Sequence, residues 1–185
     1  VFQSGEAGEA LALLGINLVE DGSVGGPRVI NADPLLAPLG NYGGPTRTHA
    51  LLPGSPALNA GAADQATATD QRGVARAVGA PDLGAFESRG FGIAVVSGSD
   101  QRIAVNNRFD APLVVLVTAN AAGEPVAGGR VTFTGPAAGA GIAPAALAAT
   151  VAADGTAGVT ATANGATGTY PVAASAAGAA PTSFT

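Results

Sequence analysis

The fold is decided by the stretch PLVVLVTANAAGEPVAGGRVTFT, Pro112–Thr134. It begins and ends with runs of β-branched and apolar residues, and a segment rich in Gly, Ala and Pro separates the two runs. The final VTFT alternates apolar and polar side chains, which is the pattern of a strand with one buried face. The stretch therefore predicts two strands joined by a turn.

The same pattern continues on both sides of this stretch. Asp154-Gly155 and Asn164-Gly165 are dipeptides that favour tight turns, because Gly tolerates a positive φ. Short strands with turn signals every ten residues or so are typical of a β-sandwich. The predicted strands are Gly92–Gly98, Pro112–Ala119, Arg130–Gly135, Ala146–Gly155, Ala157–Gly165 and Gly168–Ala177.

The first half of the chain has a different composition. Residues 1–89 hold nine acidic residues and five arginines, whereas residues 90–185 hold four and three. The change falls near ESRGFG, Glu87–Gly92, and predicts a domain boundary with a hinge at that point. In the first half, GEAGEALALLG (Gly5–Gly15) is the stretch that comes closest to a helical pattern, and glycines at both ends keep such a helix short.

Composition excludes several kinds of chemistry. The chain has no Cys and no Lys, and it has a single His. Thiol nucleophiles, thiolate zinc sites, Schiff-base chemistry and a Walker phosphate loop are therefore excluded for this chain. The net charge of −5 argues against nucleic acid or anionic lipid as a main partner.

The chain is expected to be a piece of a longer protein that does not cross a membrane within this sequence. It begins at Val1 rather than Met and shows no signal peptide. No apolar run approaches the eighteen or so residues that a membrane-spanning helix needs.

Four phrases of the second half form a recognisable series. They are VVSGSDQ (Val95–Gln101), Pro112–Thr134, ADGTAGVTATAN (Ala153–Asn164) and GTYPVAASAAG (Gly168–Gly178). Over essentially all of residues 92–185 the chain resembles bacterial Ig-like domains of the invasin and intimin type. Asn120 stands near the usual turn Asp of that family, and Pro171 interrupts the strand after Tyr170. Because Pro cannot donate to a ladder, that strand is predicted to lie at an edge there. The resemblance implies a rigid spacer in tandem arrays that projects binding tips from a bacterial surface.

Four phrases of the first half follow one another in a characteristic order. They are GINLVEDGSV (Gly15–Val24), NADPLLAPLGNYGGPTRTHALLPGSPALNAG (Asn31–Gly61), TDQRG (Thr69–Gly73) and GAPDLGAFE (Gly79–Glu87). In this order they resemble the C-terminal end of the parallel β-helix in choice-of-anchor Q surface proteins. The last rung of such a helix exposes unpaired backbone groups and an apolar core, so it needs a cap. Proline-locked loops suit a cap, and their expected apolar anchors are Leu35, Leu36, Leu39, Leu51, Leu52, Leu58, Leu83 and Phe86.

Acidic residues and one histidine are the candidates for catalysis. Carboxylate pairs could serve glycoside hydrolysis, although turn and cap roles are the preferred interpretation. His49 could act as a general base with Asp33 and Ser55 nearby in sequence, but a surface role is preferred. The candidate carboxylates are Glu20 with Asp21, Asp33, Asp64 with Asp70, and Asp82 with Glu87.

Other binding chemistry is equally sparse. Arg72 and Arg76 could bind an anionic sugar, but we expect Arg72 to pair with Asp70, Asp82 or Glu87 inside the cap. A calcium site is a further alternative, although the spaced D-x-D-x-D-G loop is absent. GAGIAP (Gly139–Pro144) lacks the third Gly and the following helix of a dinucleotide loop. No catalytic, cofactor or metal residue is assigned.

The sequence thus predicts an all-β chain. Residues 1–88 are expected to be the C-terminal rungs and cap of a right-handed parallel β-helix, residues 89–91 a linker, and residues 92–185 an Ig-like β-sandwich. The expected function is non-catalytic, adhesin-like display in an extracellular or bacterial cell-surface protein. Expected partners are a surface glycan or host matrix ligand, bound by an upstream β-helix, and neighbouring Ig-like or anchor modules.

Two other functions stay open. The chain could be the terminal part of a β-helix polysaccharide lyase or hydrolase whose catalytic rungs lie upstream. Alternatively, the second half could bind carbohydrate through exposed aromatic side chains. That alternative is disfavoured because most aromatic residues there occupy strand positions expected to face the core, namely Phe91, Phe109, Phe133, Tyr170 and Phe184.

Overall fold

The computed structural model describes residues 15–76 and 80–185, and this part of the chain is all-β. One short turn of 3-10 helix, Ala63–Gln65, is its sole helical element. The strands are β1 (Asn17–Leu18), β2 (Val29–Ile30), β3 (Phe91–Ser97), β4 (Leu113–Ala119), β5 (Arg130–Thr134), β6 (Ala146–Thr150), β7 (Thr156–Val159), β8 (Val172–Ser175) and β9 (Thr182–Phe184). The stretch Gly5–Gly15, which comes closest to a helical pattern, lies outside the described residues, apart from its last glycine.

The strands form three sheets, none of which closes into a barrel. β1 and β2 pair in parallel, with Asn17 opposite Val29 and Leu18 opposite Ile30. The other two sheets are antiparallel and have the orders β3-β4-β7 and β6-β5-β8-β9.

The two antiparallel sheets bury side chains in one shared core. Along β4 the buried residues alternate, at Leu113, Val115 and Val117, as expected of a strand with one face turned inward. Val131 and Phe133 do the same along β5 and are fully buried. Phe133 lies 6.0 Å from Phe184 of β9, measured between ring centroids. The alternation seen in the sequence of β5 therefore identifies the face that this strand turns toward the main core.

All six strands predicted in the second half are present, with shifted ends. The prediction for Pro171 is wrong, because β8 lies between β5 and β9 rather than at an edge. Pro171 precedes the first paired residue, Val172, so its missing N–H interrupts no ladder bond. β9 was not predicted, since its three residues are too few to show alternation. Phe91, Phe133 and Phe184 are buried, as expected.

Both predicted turns have a side-chain-to-backbone hydrogen bond, but the expected positive φ is found at Gly155 and not at Gly165. Asp154 Oδ1 accepts from the backbone N–H of Thr156, and Gly155 has a φ of 83°. Asn164 Oδ1 accepts in the same way from the N–H of Ala166. These side chains stabilise the turns that join the strands.

The first segment, described over residues 15–76 and 80–89, consists mainly of loops held by isolated bridges and a small core. Leu36 pairs with Leu51, and Gly40 pairs with Thr48. Ala37, Ala50, Leu52 and Phe86 form a separate buried cluster, and Leu51 and Leu58 join the main core. The anchor prediction is wrong for Leu36 and Leu39, which are 43% and 55% exposed. Their loop places these side chains along a surface groove instead.

A glycine between β3 and β4 gives a first prediction. Gly98 has a φ of 102°, and a Cβ there would press against the carbonyl oxygen of Pro112. We expect Gly98→Ala to lower the free energy of unfolding by about 2–3 kcal/mol, from backbone strain plus a clash. Gly123→Ala is the control, because its φ is 85° and nothing lies within 4 Å of the added Cβ. That variant should lose about 1 kcal/mol.

The comparison is made by chemical denaturation followed by circular dichroism. Both glycines share a left-handed backbone, so the difference between the variants isolates the contact with Pro112. Equal losses would show that the backbone at Gly98 can shift without cost.

Candidate functional site

A charged cluster in the first segment contains two ion pairs, Arg72 with Asp70 and Arg76 with Glu87. It consists of Asp70, Arg72, Arg76, Asp82 and Glu87, and it brings together the loops at residues 69–76 and 80–88. The side chains of Asp70 and Glu87 are 0% and 1% exposed. Buried charges of this kind need paired partners, so their contacts decide whether the cluster is reactive or structural.

Asp70 is held by a turn of its own loop and by Glu87. Its Oδ1 accepts from the N–H groups of Arg72 at 2.8 Å and Val74 at 3.0 Å. Its Oδ2 accepts from the N–H of Glu87 at 3.0 Å. The carboxylate therefore joins two loops through backbone donors.

Arg72 completes this arrangement. Its Nε and Nη2 lie 2.9 and 2.8 Å from Asp70 Oδ2, and Nη2 also donates to the carbonyl oxygen of Glu87 at 2.6 Å. The guanidinium carbon lies 3.5 Å from the centroid of the Phe86 ring, a cation–π contact. The predicted pairing of Arg72 inside this region is therefore confirmed, with Asp70 as the partner.

Arg76, Asp82 and Glu87 form the second part of the cluster. Arg76 Nη1 and the Asp82 N–H both donate to Glu87 Oε2, at 3.0 and 2.9 Å. Asp82 Oδ1 accepts from the N–H of Asn59 and Oδ2 from the N–H of Ser88, each at 2.7 Å. Both Asp82 oxygens are thus bound to backbone groups of neighbouring loops.

The two aspartates respond oppositely to this environment. Burial opposes ionisation of Asp70, but its hydrogen bonds from Glu87, Arg72 and Val74 outweigh burial and lower its pKa. Burial dominates at Asp82 and raises its pKa above the ordinary value. Asp82 is the candidate that best suits a general acid, yet its two oxygens are already occupied.

These shifts predict opposite pH trends for two variants. The stability advantage of the wild type over Asp70→Asn is expected above about pH 4.5 and should shrink as the pH falls through the lowered pKa. The unfolded Asp takes up its proton first, which favours unfolding. For Asp82→Asn, the stability of the wild type relative to the variant should rise as the pH falls, since the folded wild type binds the Asp82 proton more tightly than the unfolded chain does.

Denaturant unfolding at pH steps between about 3 and 7 measures both differences. Each variant serves as the control for the other, because both remove one buried carboxylate from the same cluster. Parallel trends for the two variants would contradict the assigned directions.

His49, Asp33 and Ser55 are not connected in the way a catalytic group requires. His49 Nδ1 lies 2.8 Å from the carbonyl oxygen of Ala37, so this nitrogen carries the proton and donates. The Ser55 hydroxyl donates to the carbonyl oxygen of Pro34. Asp33 Oδ1 accepts from the N–H of Leu35. Each side chain therefore bonds to backbone, and no hydrogen bond links the histidine to the other two.

The remaining sequence candidates are exposed turn residues or lie in the core. Asp21 accepts from Ser23, which lowers its pKa. Glu20 and Asp64 are exposed. Gly139–Pro144 leads into β6 rather than a helix, and its Ile142 is buried. Within the part of the chain that the structure describes, no group of three His, Asp or Glu side chains could hold a metal ion.

A groove beside the charged cluster was not predicted from the sequence. The groove has a volume of about 680 Å³, and the exposed side chains of Leu36 and Leu39 line it. Thr48 is 3% exposed in its wall, and the Thr48 hydroxyl oxygen has no hydrogen-bond partner. Its walls include Ile16, Leu18, Leu36, Leu39, Thr48, His49, Leu51, Leu83 and Phe86. No sequence signal distinguishes it, because Leu36 and Leu39 were predicted as buried anchors together with the other leucines.

A second cavity lies on the second half of the chain. It has a volume of about 690 Å³, and its wall includes Gln101, Phe109, Tyr170 and Phe184. Burial raises the pKa of Tyr170, and the buried hydroxyl has no hydrogen-bond partner. Gln101 is occupied, because its amide group bonds to the backbone of Gly98 and Ala111.

Comparison with protein-family models, with curated proteins and with solved structures finds no match to this chain. Within residues 15–76 and 80–185, no helix has the length and apolar character to cross a membrane.

Proposed function

We propose that this chain is a non-catalytic display segment of an extracellular or cell-surface bacterial protein. In this proposal the first segment closes the C-terminal end of a parallel β-helix, and residues 92–185 form an Ig-like spacer. The upstream β-helix would carry the surface that binds a glycan or host matrix ligand. Neighbouring Ig-like or anchor modules would follow the spacer.

The observation that carries the proposal is the bonding of the charged cluster. The Asp70 oxygens accept from backbone N–H groups of its own loop and of Glu87, both Asp82 oxygens accept from backbone N–H groups of neighbouring loops, and Arg72 is stacked on Phe86. Carboxylates and guanidinium groups used in this way fix loop positions instead of meeting a substrate. This supports a closing role for the first segment.

The two resemblances are supported by backbone geometry as well. The parallel pairing of β1 and β2 is compatible with neighbouring rungs of a solenoid, in which the chain returns after one turn to stack on itself. The second half has two antiparallel sheets with a common core, as an Ig-like spacer requires.

The test measures both binding and turnover with the full chain. We expect no release of sugar products from a panel of neutral and acidic polysaccharides, and no signal on a glycan array, with calcium present or chelated. Turnover would contradict the non-catalytic role. Leu39 and Val96 are both exposed apolar side chains, so each can be replaced by Asp for comparison. If the chain binds the array, and Leu39→Asp abolishes this binding while Val96→Asp preserves it, recognition would lie in the groove rather than in an upstream β-helix.

A further inference from the structure

A buried glutamate connects the first segment to the second half. Glu124 lies in the turn between β4 and β5 and is 9% exposed. One of its oxygens, Oε2, accepts from the Ser88 hydroxyl at 2.8 Å. The Arg89 N–H points at both carboxylate oxygens, at 3.1 and 3.2 Å. Charged acceptors make stronger hydrogen bonds than neutral ones, and burial reduces their competition with water.

The residues that follow Ser88 in the chain are also hydrogen-bonded to the second half. Asn120 donates from its side chain to the carbonyl oxygen of Arg89, and its N–H donates to the carbonyl oxygen of Gly90 at 3.0 Å. The Phe91 N–H then donates to the carbonyl oxygen of Gly178 at 2.8 Å. Each residue from Ser88 to Phe91 is therefore bonded to the second half.

A separate loop of the first segment makes a second attachment. The Arg130 N–H, at the start of β5, donates to the carbonyl oxygen of Pro53 at 2.8 Å. The Gly54 N–H donates to the carbonyl oxygen of Ala177 at 3.1 Å. Gly129 lies so close that an added Cβ would be 2.7 Å from Pro53 Cδ.

Apolar contacts fill the space between these two attachments. Leu51, Ala57 and Leu58 belong to the same buried cluster as Phe91 and the strands of the second half. At Gly178 an added Cβ would lie 2.8 Å from Leu58 Cδ1, so Leu58 packs where a side chain would otherwise be. Two separate hydrogen-bonded attachments with apolar packing between them resist rotation in a way that a single linker does not.

We propose that Glu124 and the Pro53–Gly129 contact lock the first segment onto the second half, so that the two move as one rigid body. The composition change at Glu87–Gly92 then marks a change of fold but not a hinge. This inference concerns motion and stands whether or not the display function holds. In a display protein, it would transmit the orientation of the spacer to the upstream β-helix.

The test measures distances between spin labels on the full chain by double electron–electron resonance. The chain has no Cys, so labels attach only where Cys is introduced. Ala75→Cys and Thr150→Cys, both exposed, span the two segments. A second pair of labels, at Val96→Cys and Thr150→Cys, lies wholly within the second half. Its distance distribution gives the width expected of a rigid reference pair. We expect the distance distribution of the spanning pair to be as narrow as that of the reference pair.

Two variants then loosen the joint by different routes. Glu124→Ala should broaden the spanning distribution by about twofold or more and leave the reference pair unchanged, because domain motion is the default once an interface is weakened. Gly129→Ala should broaden it through the clash with Pro53. Gly25→Ala is the control, because nothing lies within 4 Å of its added Cβ.

The wild-type measurement decides the matter even if a variant fails to fold. A spanning distribution much broader than the reference pair would overturn the proposal. So would a folded Glu124→Ala protein and a folded Gly129→Ala protein that both keep the wild-type width.

Discussion

Arg72→Met is expected to lower the free energy of unfolding by about 3–5 kcal/mol, since it leaves the buried Asp70 carboxylate without its cation. The Asp70 side chain is 0% exposed and Arg72 only 7%, so water cannot easily replace the lost partner. The change also removes the donor to Glu87 and the contact with the Phe86 ring. Such a loss is a large fraction of the stability of an ordinary domain.

Unfolding by guanidinium, followed by far-ultraviolet circular dichroism, measures the effect. The chain has no Trp, so intrinsic Trp fluorescence is not an option. Arg28→Met is the matched control, because Arg28 is exposed. It should change stability by no more than about 0.5 kcal/mol. Equal effects of the two substitutions would show that the buried pair contributes nothing particular.

The double variant Asp70→Asn/Arg72→Met separates loss of the pair from exposure of an unpaired charge. It should be more stable than Arg72→Met alone, because Asn carries no charge and its one oxygen can still accept from the backbone N–H groups of residues 72 and 74, which outweighs the lost acceptor for the Glu87 N–H. A double variant that is less stable than the single one would mean that Asp70 does not depend on Arg72.

The strands of the second half could be predicted because their signal is local. Alternation of apolar and polar residues within β5 is enough to tell which of its side chains face the core, whereas β4 is apolar at five successive positions and alternates only in its burial. β9 escapes this reasoning, since three residues carry no period. The position of β8 inside its sheet depends on pairing with β9, which no pattern within residues 172–175 reveals.

The candidate site could be predicted only where its partners are close in sequence. Asp70 and Arg72 stand two residues apart, and their pairing was among the expected ones. The bond from Ser88 to Glu124 joins residues 36 positions apart, and composition says nothing about it. The groove depends on how several loops fold around Thr48, so its leucines could not be told from buried anchors.

The fold of the described part of the first segment, residues 15–76 and 80–89, is the least accessible to sequence reasoning. Its prolines and glycines predict turns, but turn signals do not say how the turns stack. Parallel pairing of two-residue strands, as in β1 and β2, is too short to leave a pattern. The small core around Phe86 is likewise assembled from loops, whose residues carry no common period.

Phe133→Ala is expected to lower the free energy of unfolding by about 3–5 kcal/mol, because it opens a cavity at the centre of the main core. Phe133 is 0% exposed and contacts the ring of Phe184 from the neighbouring part of its sheet. β5 pairs with both β6 and β8, so its neighbours cannot collapse into the cavity without disturbing two ladders. Little relaxation means that most of the cavity cost should be observed.

Two further variants make the result specific to burial. Phe133→Leu keeps much of the volume and should lose less than Phe133→Ala. Val96→Ala, at a side chain 57% exposed on β3, should change stability by no more than about 0.5 kcal/mol. All three are measured by the same denaturation experiment. A loss below about 1 kcal/mol for Phe133→Ala would mean that the two sheets do not share a close-packed core at this position.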